Sequence, residues 1–371
     1  MRFLSLFSGI EGASVALLPL GWECVAVAEV EPFPCAVLAH HYPDVPNLGD
    51  ITKITRDKIE ALGYIDVVIF GSPCQDFSVA GKRKGLEDEH GNTTRSGLFF
   101  AAMRIADWCR ARFTWLENVP GMLSSKSGRD FAAVVGAMAG AEFDLPRDGW
   151  QNAGVAVGPC GLVEWTVLDA QYHGLAQRRR RVFVVRDSGD WSDRPPLFLE
   201  QYRLQGNPAP SRKEGQSVVG TVSARTHGGG GLGTDLELDS HLVVSAYGDI
   251  SHTLSSEGAD ASEDGSGRGT PVIAYRTAGD GAVYEEGHTT APLTTGTDQC
   301  ANVVHQSMHV RRITPLECEK LQGLPPGYTD VPYRGKRSCD GPRYKSIGNG
   351  FAIPCIRWIG DRIQAAAEGS K

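Results

Sequence analysis

The apolar positions of this chain fall into short runs closed by turn residues. Ile65 to Phe70 is rich in β-branched residues and ends abruptly at Gly71-Ser72-Pro73-Cys74. Such a run reads as a buried parallel strand that delivers its last residues to the carboxyl edge of a sheet, where open α/β sheets hold their ligands. Arg2 to Phe7, the turn Ser8-Gly9-Ile10-Glu11-Gly12 and the helical Ala13 to Leu18 read as strand, glycine turn, helix. A second strand, Cys24 to Ala28, ends at Glu29, Pro32 opens a helix towards His41, and Asp50-Ile51 lies where a third strand end would join the same edge. Leu98 to Arg112 has helical spacing, Phe113 to Leu116 is a strand ending in Glu117-Asn118-Val119-Pro120, and Asp130 to Ala141 is helical. Val163 to Leu168 and Val182 to Val185 read as an antiparallel pair at the end of the sheet, bracketing Tyr172 to Arg181. Near the end of the chain a helix starts at Thr314-Pro315 and runs through Gln322, Tyr344 to Pro354 reads as turn-rich, and Cys355 to Ala366 is amphipathic.

Two stretches lack this punctuation. Val79 to Gly97 has no periodicity and follows directly on Ser78, so it reads as a lid over whatever the strand end holds. From Asp187 to about Val310 the composition shifts to Gly, Ser, Thr and Asp. A loose repeat runs through Gly220 to Ala224, His252 to Ser256 and Ala291 to Thr295, followed by Leu242-Val243-Val244, Val272-Ile273-Ala274 and Val303-Val304. Three similar hairpins predict a small strand-rich domain with long loops.

Composition narrows the class. With 371 residues, 41% hydrophobic, the chain can build one large core and a second smaller domain. No apolar run approaches a membrane span and the amino-terminal segment lacks a signal-peptide pattern, so the expectation is a soluble cytoplasmic protein. The 9 Cys stand singly without a C-x-x-C pair, which argues against a disulfide framework and a thiolate zinc site. A net charge of -7 does not announce a nucleic-acid partner, yet phosphate binding depends on local patches. Such patches occur at Lys82 to Lys84, Arg178 to Arg181, Arg311-Arg312, and Arg334 through Lys345.

The candidate chemistry lies at the strand ends. Cys74, between Pro73 and the polar Gln75-Asp76, reads as a group at an opening, with a small buried hydrophobe as the plainer alternative. Glu117 would face the same crevice. Glu29, an acid at the end of the second strand after a glycine turn, is the usual device for ribose hydroxyls, which points to a cofactor containing adenosine.

The segments Phe7 to Gly12, Gly71 to Gln75, Glu117-Asn118-Val119, Gln177 to Arg181, Arg311 to Glu317 and Gly348-Asn349-Gly350 together resemble the cytosine-C5 DNA methyltransferase family, in particular the modification methylases of bacteria and phages. Glu11 stands where the commonest pattern has glycine, and Gly350 where Ser or Ala is frequent. The resemblance implies an α/β, Rossmann-like S-adenosylmethionine-dependent methyltransferase domain over 1–187 and 341–371, with a smaller strand-rich target-recognition domain over 188–340. It implies S-adenosyl-L-methionine in a pocket of Phe7, Ile10, Gly12, Glu29, Val30, Asp50, Ile51, Pro73, Leu98 and Asn349, Glu29 taking the ribose and Asp50 the adenine. Cys74 resembles the nucleophile that adds to C6 of a flipped cytosine, and Glu117 the acid at N3 and the exocyclic amine. Arg179 and Arg181 would hold O2 and orient Glu117. The implied partner is double-stranded DNA, read by a monomer that needs neither membrane nor metal, any cognate restriction enzyme acting separately. Three other readings stand beside this one. A methylase of transfer RNA shares the motifs but has a compact recognition region. A silent DNA-binding module would not need Cys74, Glu117 and both arginines together. A nicotinamide enzyme would need a fuller Gly-x-Gly-x-x-Gly turn.

Overall fold

The apolar runs form the strands of a mixed α/β fold in the computed structural model, which describes residues 1–71, 95–192, 194, 196–198, 272–277 and 307–369. In chain order come β1 (Arg2–Leu6), α1 (Gly12–Leu17), β2 (Glu23–Ala28), α2 (Pro32–His41), α3 (Arg56–Glu60), β3 (Val67–Gly71), α4 (Arg95–Cys109), β4 (Phe113–Asn118) and α5 (Arg129–Ala139). They are followed by β5 (Ala153–Gly158), β6 (Gly161–Asp169), β7 (Arg180–Asp187), β8 (Val272–Thr277), β9 (Ser307–Arg312), α6 (Pro315–Gln322), the short pair β10 (Pro332–Tyr333) and β11 (Lys336–Arg337), α7 (Asp340–Asn349) and α8 (Ile353–Glu368). Seven strands form one sheet in the order β2-β1-β3-β4-β7-β6-β5. The first four are parallel and the last three antiparallel, as expected for the pair around Tyr172 to Arg181.

The central strands read as continuous apolar runs because helices cover both of their faces. Side chains alternate across a strand, so Phe3, Val67, Ile69 and Trp115 enter one core with α1, α2, α6 and α8. Leu4, Leu6, Val68, Phe70 and Leu116 enter the other with α3, α4 and α5. Helix α8 buries Ile356, Ile359 and Ile363 against α1. Gly360 permits that approach, since a Cβ there would lie 2.5 Å from Leu17 Cδ2.

Three expectations change. Tyr344 to Pro354 is mostly helical, within α7 and the start of α8. Its glycines and prolines suggested turns, but Pro342 is tolerated in the first helical turn, and burial of Tyr344 and Ile347 holds the rest. No strand ends at Asp50. Its carboxylate accepts the Thr52 N–H at 2.9 Å and caps a 3₁₀ turn, Ile51–Lys53, a local bond that competes with sheet pairing. The domain limits also move. Ile313, Cys318, Leu321, Leu324 and Tyr328 lie in the core that holds Phe3, as do Leu197 and Phe198, so neither 188–198 nor 313–340 stands apart from the main domain. Arg194 fastens the first of these, its Nη1 2.9 Å from Glu164 and its Nε 3.0 Å from Asp187. In addition, β8 pairs antiparallel with β9, Val272 opposite Arg312 and Thr277 opposite Ser307. The other expected hairpin strands lie outside the described residues, as does Val79 to Gly97 up to residue 94. Among the described residues no helix is long and apolar enough to cross a membrane.

Candidate active site

Register brings the carboxyl ends of four parallel strands level: Leu6 pairs with Ala28 and with Phe70, and Gly71 pairs with Glu117. The loop leaving β1 is built from left-handed residues, with φ of 52° at Phe7, 54° at Gly9 and 58° at Glu11. Two of them are not glycine, so the conformation costs free energy that its contacts must offset. Ser8 bonds Ala28 both ways, its N–H donating to the Ala28 carbonyl at 3.1 Å and its Oγ accepting the Ala28 N–H at 3.0 Å. Glu29 completes the tie. Its Oε2 accepts the Gly9 N–H at 2.8 Å, and its Oε1 accepts the Val30 and Glu31 N–H groups, both at 2.7 Å.

Glu29 thus presents a fixed carboxylate between two strand ends. Beside it Val30 is 62% exposed although Ala26, Val27 and Ala28 are buried. An oriented acid next to an uncovered apolar side chain suits a ribose diol and an adenine ring, so the residues present fit the expected cofactor. Ile10, Gly12 and Ile51 are buried, Phe7 and Leu98 half-buried, and Asn349 exposed. The carboxyl-terminal segment folds back on this loop: a Cβ on Gly12 would lie 3.0 Å from Ile353 Cδ1, and one on Gly350 3.7 Å from Ile10 Cδ1. Pro73 lies outside the described residues.

Glu11 is wholly buried behind the loop. Its Oε1 accepts from Ser14 N–H at 3.1 Å and from Ser14 Oγ at 2.9 Å. Burial pushes its carboxyl from the usual 4.5 up to about 7, against the hydroxyls of Ser5, Ser14 and Ser8, which lower it. Because the folded value stands above the unfolded one, the contribution to stability is full below about 4.5 and is lost as the pH rises through about 7. A neutral Glu11→Gln should escape that loss. Thermal unfolding of the two proteins should show the variant gaining on the wild type between pH 4.5 and pH 8, by at most about 3 kcal/mol. A difference that stays constant over that range would assign the pH dependence to another group.

At the β3 and β4 ends, Glu117 and Arg181 form an ion pair, Oε1 to Nε 3.1 Å, each side chain only 12% exposed. Arg181 also donates from Nη1 to the Arg180 carbonyl at 2.8 Å, which holds the guanidinium in place. Gly71 leaves room for the other carboxyl oxygen: a Cβ there would lie 3.4 Å from Glu117 Oε2 and 3.3 Å from Phe351 Cε1. Cys74 lies outside the described residues. It follows Gly71 by three positions, so its Cα cannot be more than about 11 Å from that of the residue paired with Glu117.

The two arginines expected to act together are divided. Arg181 meets Glu117, whereas Arg179 is buried and donates to the carbonyls of Gly348 at 3.3 Å and Gly350 at 2.8 Å, on either side of Asn349. Through these carbonyls Arg179 orders the Asn349 segment. Phe351 and Tyr328, whose hydroxyl donates to the Ile10 carbonyl at 2.8 Å, were not foreseen. Neither belongs to a local pattern that marks such contacts.

The sequence profile of the C-5 cytosine-specific DNA methylase family matches residues 1–365. A protein of Escherichia phage P1 named DNA N-6-adenine-methyltransferase is 32% identical over 468 aligned residues, covering 99% of this chain and 62% of that protein. The Type II methyltransferase M.NgoBV of Neisseria gonorrhoeae is 30% identical over 226 residues, 57% of this chain and 45% of its own length. The chain thus spans less than two thirds of these relatives. The crystal structure of the S. pombe Dnmt2 methyltransferase shares the fold, with a TM-score of 0.57 at 15% identity over 100% of this chain and 99% of that one. With the family profile matching nearly its whole length, the chain belongs to the C-5 cytosine-specific DNA methylase family.

Proposed function

We propose that this chain transfers a methyl group to C5 of a cytosine flipped out of double-stranded DNA, through a transient bond between Cys74 Sγ and C6 of the base. The observation that carries this reading is the Gly71 to Glu117 ladder pair, which brings the end of β3, three residues before Cys74 in the sequence, beside an acid already held by Arg181. C5 of cytosine is a poor nucleophile. The Cys74 thiolate adds to C6, and the electron pair displaced from the C5–C6 bond makes C5 nucleophilic. Glu117 steadies the charge reaching N3 by supplying a proton there, and its second contact, with the exocyclic amine, selects cytosine. S-adenosylmethionine, when bound, supplies an electrophilic sulfonium methyl for C5. A base then removes the C5 proton, the electron pair restores the C5–C6 double bond as Cys74 leaves as thiolate, and N3 returns its proton to Glu117.

Glu29 would hold the ribose of the cofactor, Asp50 and Val30 the adenine, and the Phe7 to Gly12 loop the remainder with Asn349. The segment 199–312, which includes β8 and β9, would read the bases flanking the target, and the basic cluster Lys82 to Lys84 would meet phosphates. Purified protein should move label from methyl-labelled S-adenosylmethionine to duplex DNA. Removing the charge-assisted bonds of one carboxylate, as in Glu29→Ala, should weaken S-adenosylhomocysteine binding by roughly five- to a hundredfold. Unchanged affinity in calorimetric titration would place the cofactor elsewhere.

A further inference from the structure

We propose that Tyr328 is a positioning residue for the cofactor loop, its hydroxyl fixing the Ile10 carbonyl from the far side of the loop; this rests on the reading that Phe7 to Gly12 bind the methyl donor. The left-handed residues at Phe7, Gly9 and Glu11 curl the chain into a tight loop, in which the Gly9 N–H meets Glu29 and the Glu11 N–H turns back to the Ser8 carbonyl. A carbonyl in such a loop turns inward and needs a buried donor. Tyr328 supplies it, its hydroxyl donating to the Ile10 carbonyl at 2.8 Å across 318 residues of sequence. The Tyr42 hydroxyl lies 3.2 Å from that of Tyr328, within hydrogen-bond distance.

The phenol is itself held on every side. The His41 ring stacks on it at 4.1 Å with an interplanar angle of 1°, and His41 Nε2 lies 2.7 Å from the Tyr328 carbonyl. The loop that carries Tyr328 wraps around the buried Glu319 of α6. Glu319 Oε2 accepts the Gly327 N–H at 2.6 Å, and Oε1 accepts the Thr329 N–H at 2.8 Å together with the Thr329 hydroxyl. Arg343 of α7 closes the circuit, donating to Glu319 at 3.2 Å and to Thr329 Oγ1 at 2.9 Å. A side chain clamped before and behind and anchored to two helices cannot follow the loop if it relaxes. The hydroxyl therefore sets where the loop stands.

Tyr328→Phe keeps the ring, its stack on His41 and the Glu319 anchor, and removes only the hydroxyl. Three quantities separate positioning from general support: the Kd of S-adenosylhomocysteine, the Kd of duplex DNA, and the kinetic constants. The expected result is an S-adenosylhomocysteine Kd and a cofactor KM raised about fivefold, with kcat and the DNA Kd within about twofold of wild type. A lowered Tm with unchanged cofactor Kd would reduce the hydroxyl to a structural bond and overturn the proposal. Glu29→Ala, titrated alongside, guards the underlying reading. If it binds like wild type, the cofactor pocket lies elsewhere and the proposal falls with it, whereas a weakened Glu29→Ala with an unaffected Tyr328→Phe refutes Tyr328 alone.

Discussion

Cys74→Ala protein is expected to lose methyl transfer by about four orders of magnitude or more, the scale seen when a covalent nucleophile is removed. On the proposed mechanism the loss is this large because, without addition at C6, C5 remains a poor nucleophile. Binding of S-adenosylhomocysteine should persist, since the Phe7 to Gly12 loop and Glu29 are tied to β1 and β2 and not to the strand end at Gly71. A duplex containing 5-fluorocytosine makes the chemistry visible: fluorine cannot leave C5 as a proton does, so wild-type protein should accumulate a denaturation-resistant adduct. Cys74→Ala should form none. An adduct with the variant would put the nucleophile elsewhere.

Glu117→Gln should be the second most damaging change, lowering kcat by roughly a hundred- to a thousandfold. The amide keeps the size of the carboxyl beside Gly71 and Phe351 but cannot supply a proton at N3, and it leaves Arg181 without its counter-ion. The KM for the cofactor should stay near that of wild type, because Glu117 stands on β4, whereas the proposed cofactor residues Phe7 to Gly12 and Glu29 follow β1 and β2. A loss that appeared in cofactor KM with kcat intact would mean that Glu117 serves binding and not the reaction.

The parts legible in the sequence are those written in local pattern. β1, β3 and β4 stand out because burial on both faces makes their sequences continuous apolar runs, and Gly71, Glu29 and Glu117 stand out because each ends such a run. Contacts between distant segments leave no such mark. Tyr344 to Ile347 lie among glycines and a proline that suggest turns, and only their burial against the sheet makes them helical. Composition changes at Asp187, but the core continues through Phe198 and resumes at Ile313, because Glu164 and Asp187 draw the chain back through Arg194. Arg179 and Arg181 share a motif, yet Arg181 meets Glu117 and Arg179 the Gly348 and Gly350 carbonyls, since alternate residues point the same way only within a strand and Arg179 precedes β7, which begins at Arg180. The bond from Tyr328 to Ile10 joins segments that no motif connects.

The central claim, that this chain methylates cytosine at C5 in DNA, is tested most directly by digesting duplex DNA to nucleosides after incubation with purified protein and methyl-labelled S-adenosylmethionine. Separation by chromatography and mass spectrometry then identifies the labelled nucleoside. The account predicts label in 5-methyldeoxycytidine and none in N6-methyldeoxyadenosine, the product implied by the name of the phage P1 relative. Label in N6-methyldeoxyadenosine, or in methylated cytidine only when RNA is supplied, would contradict it.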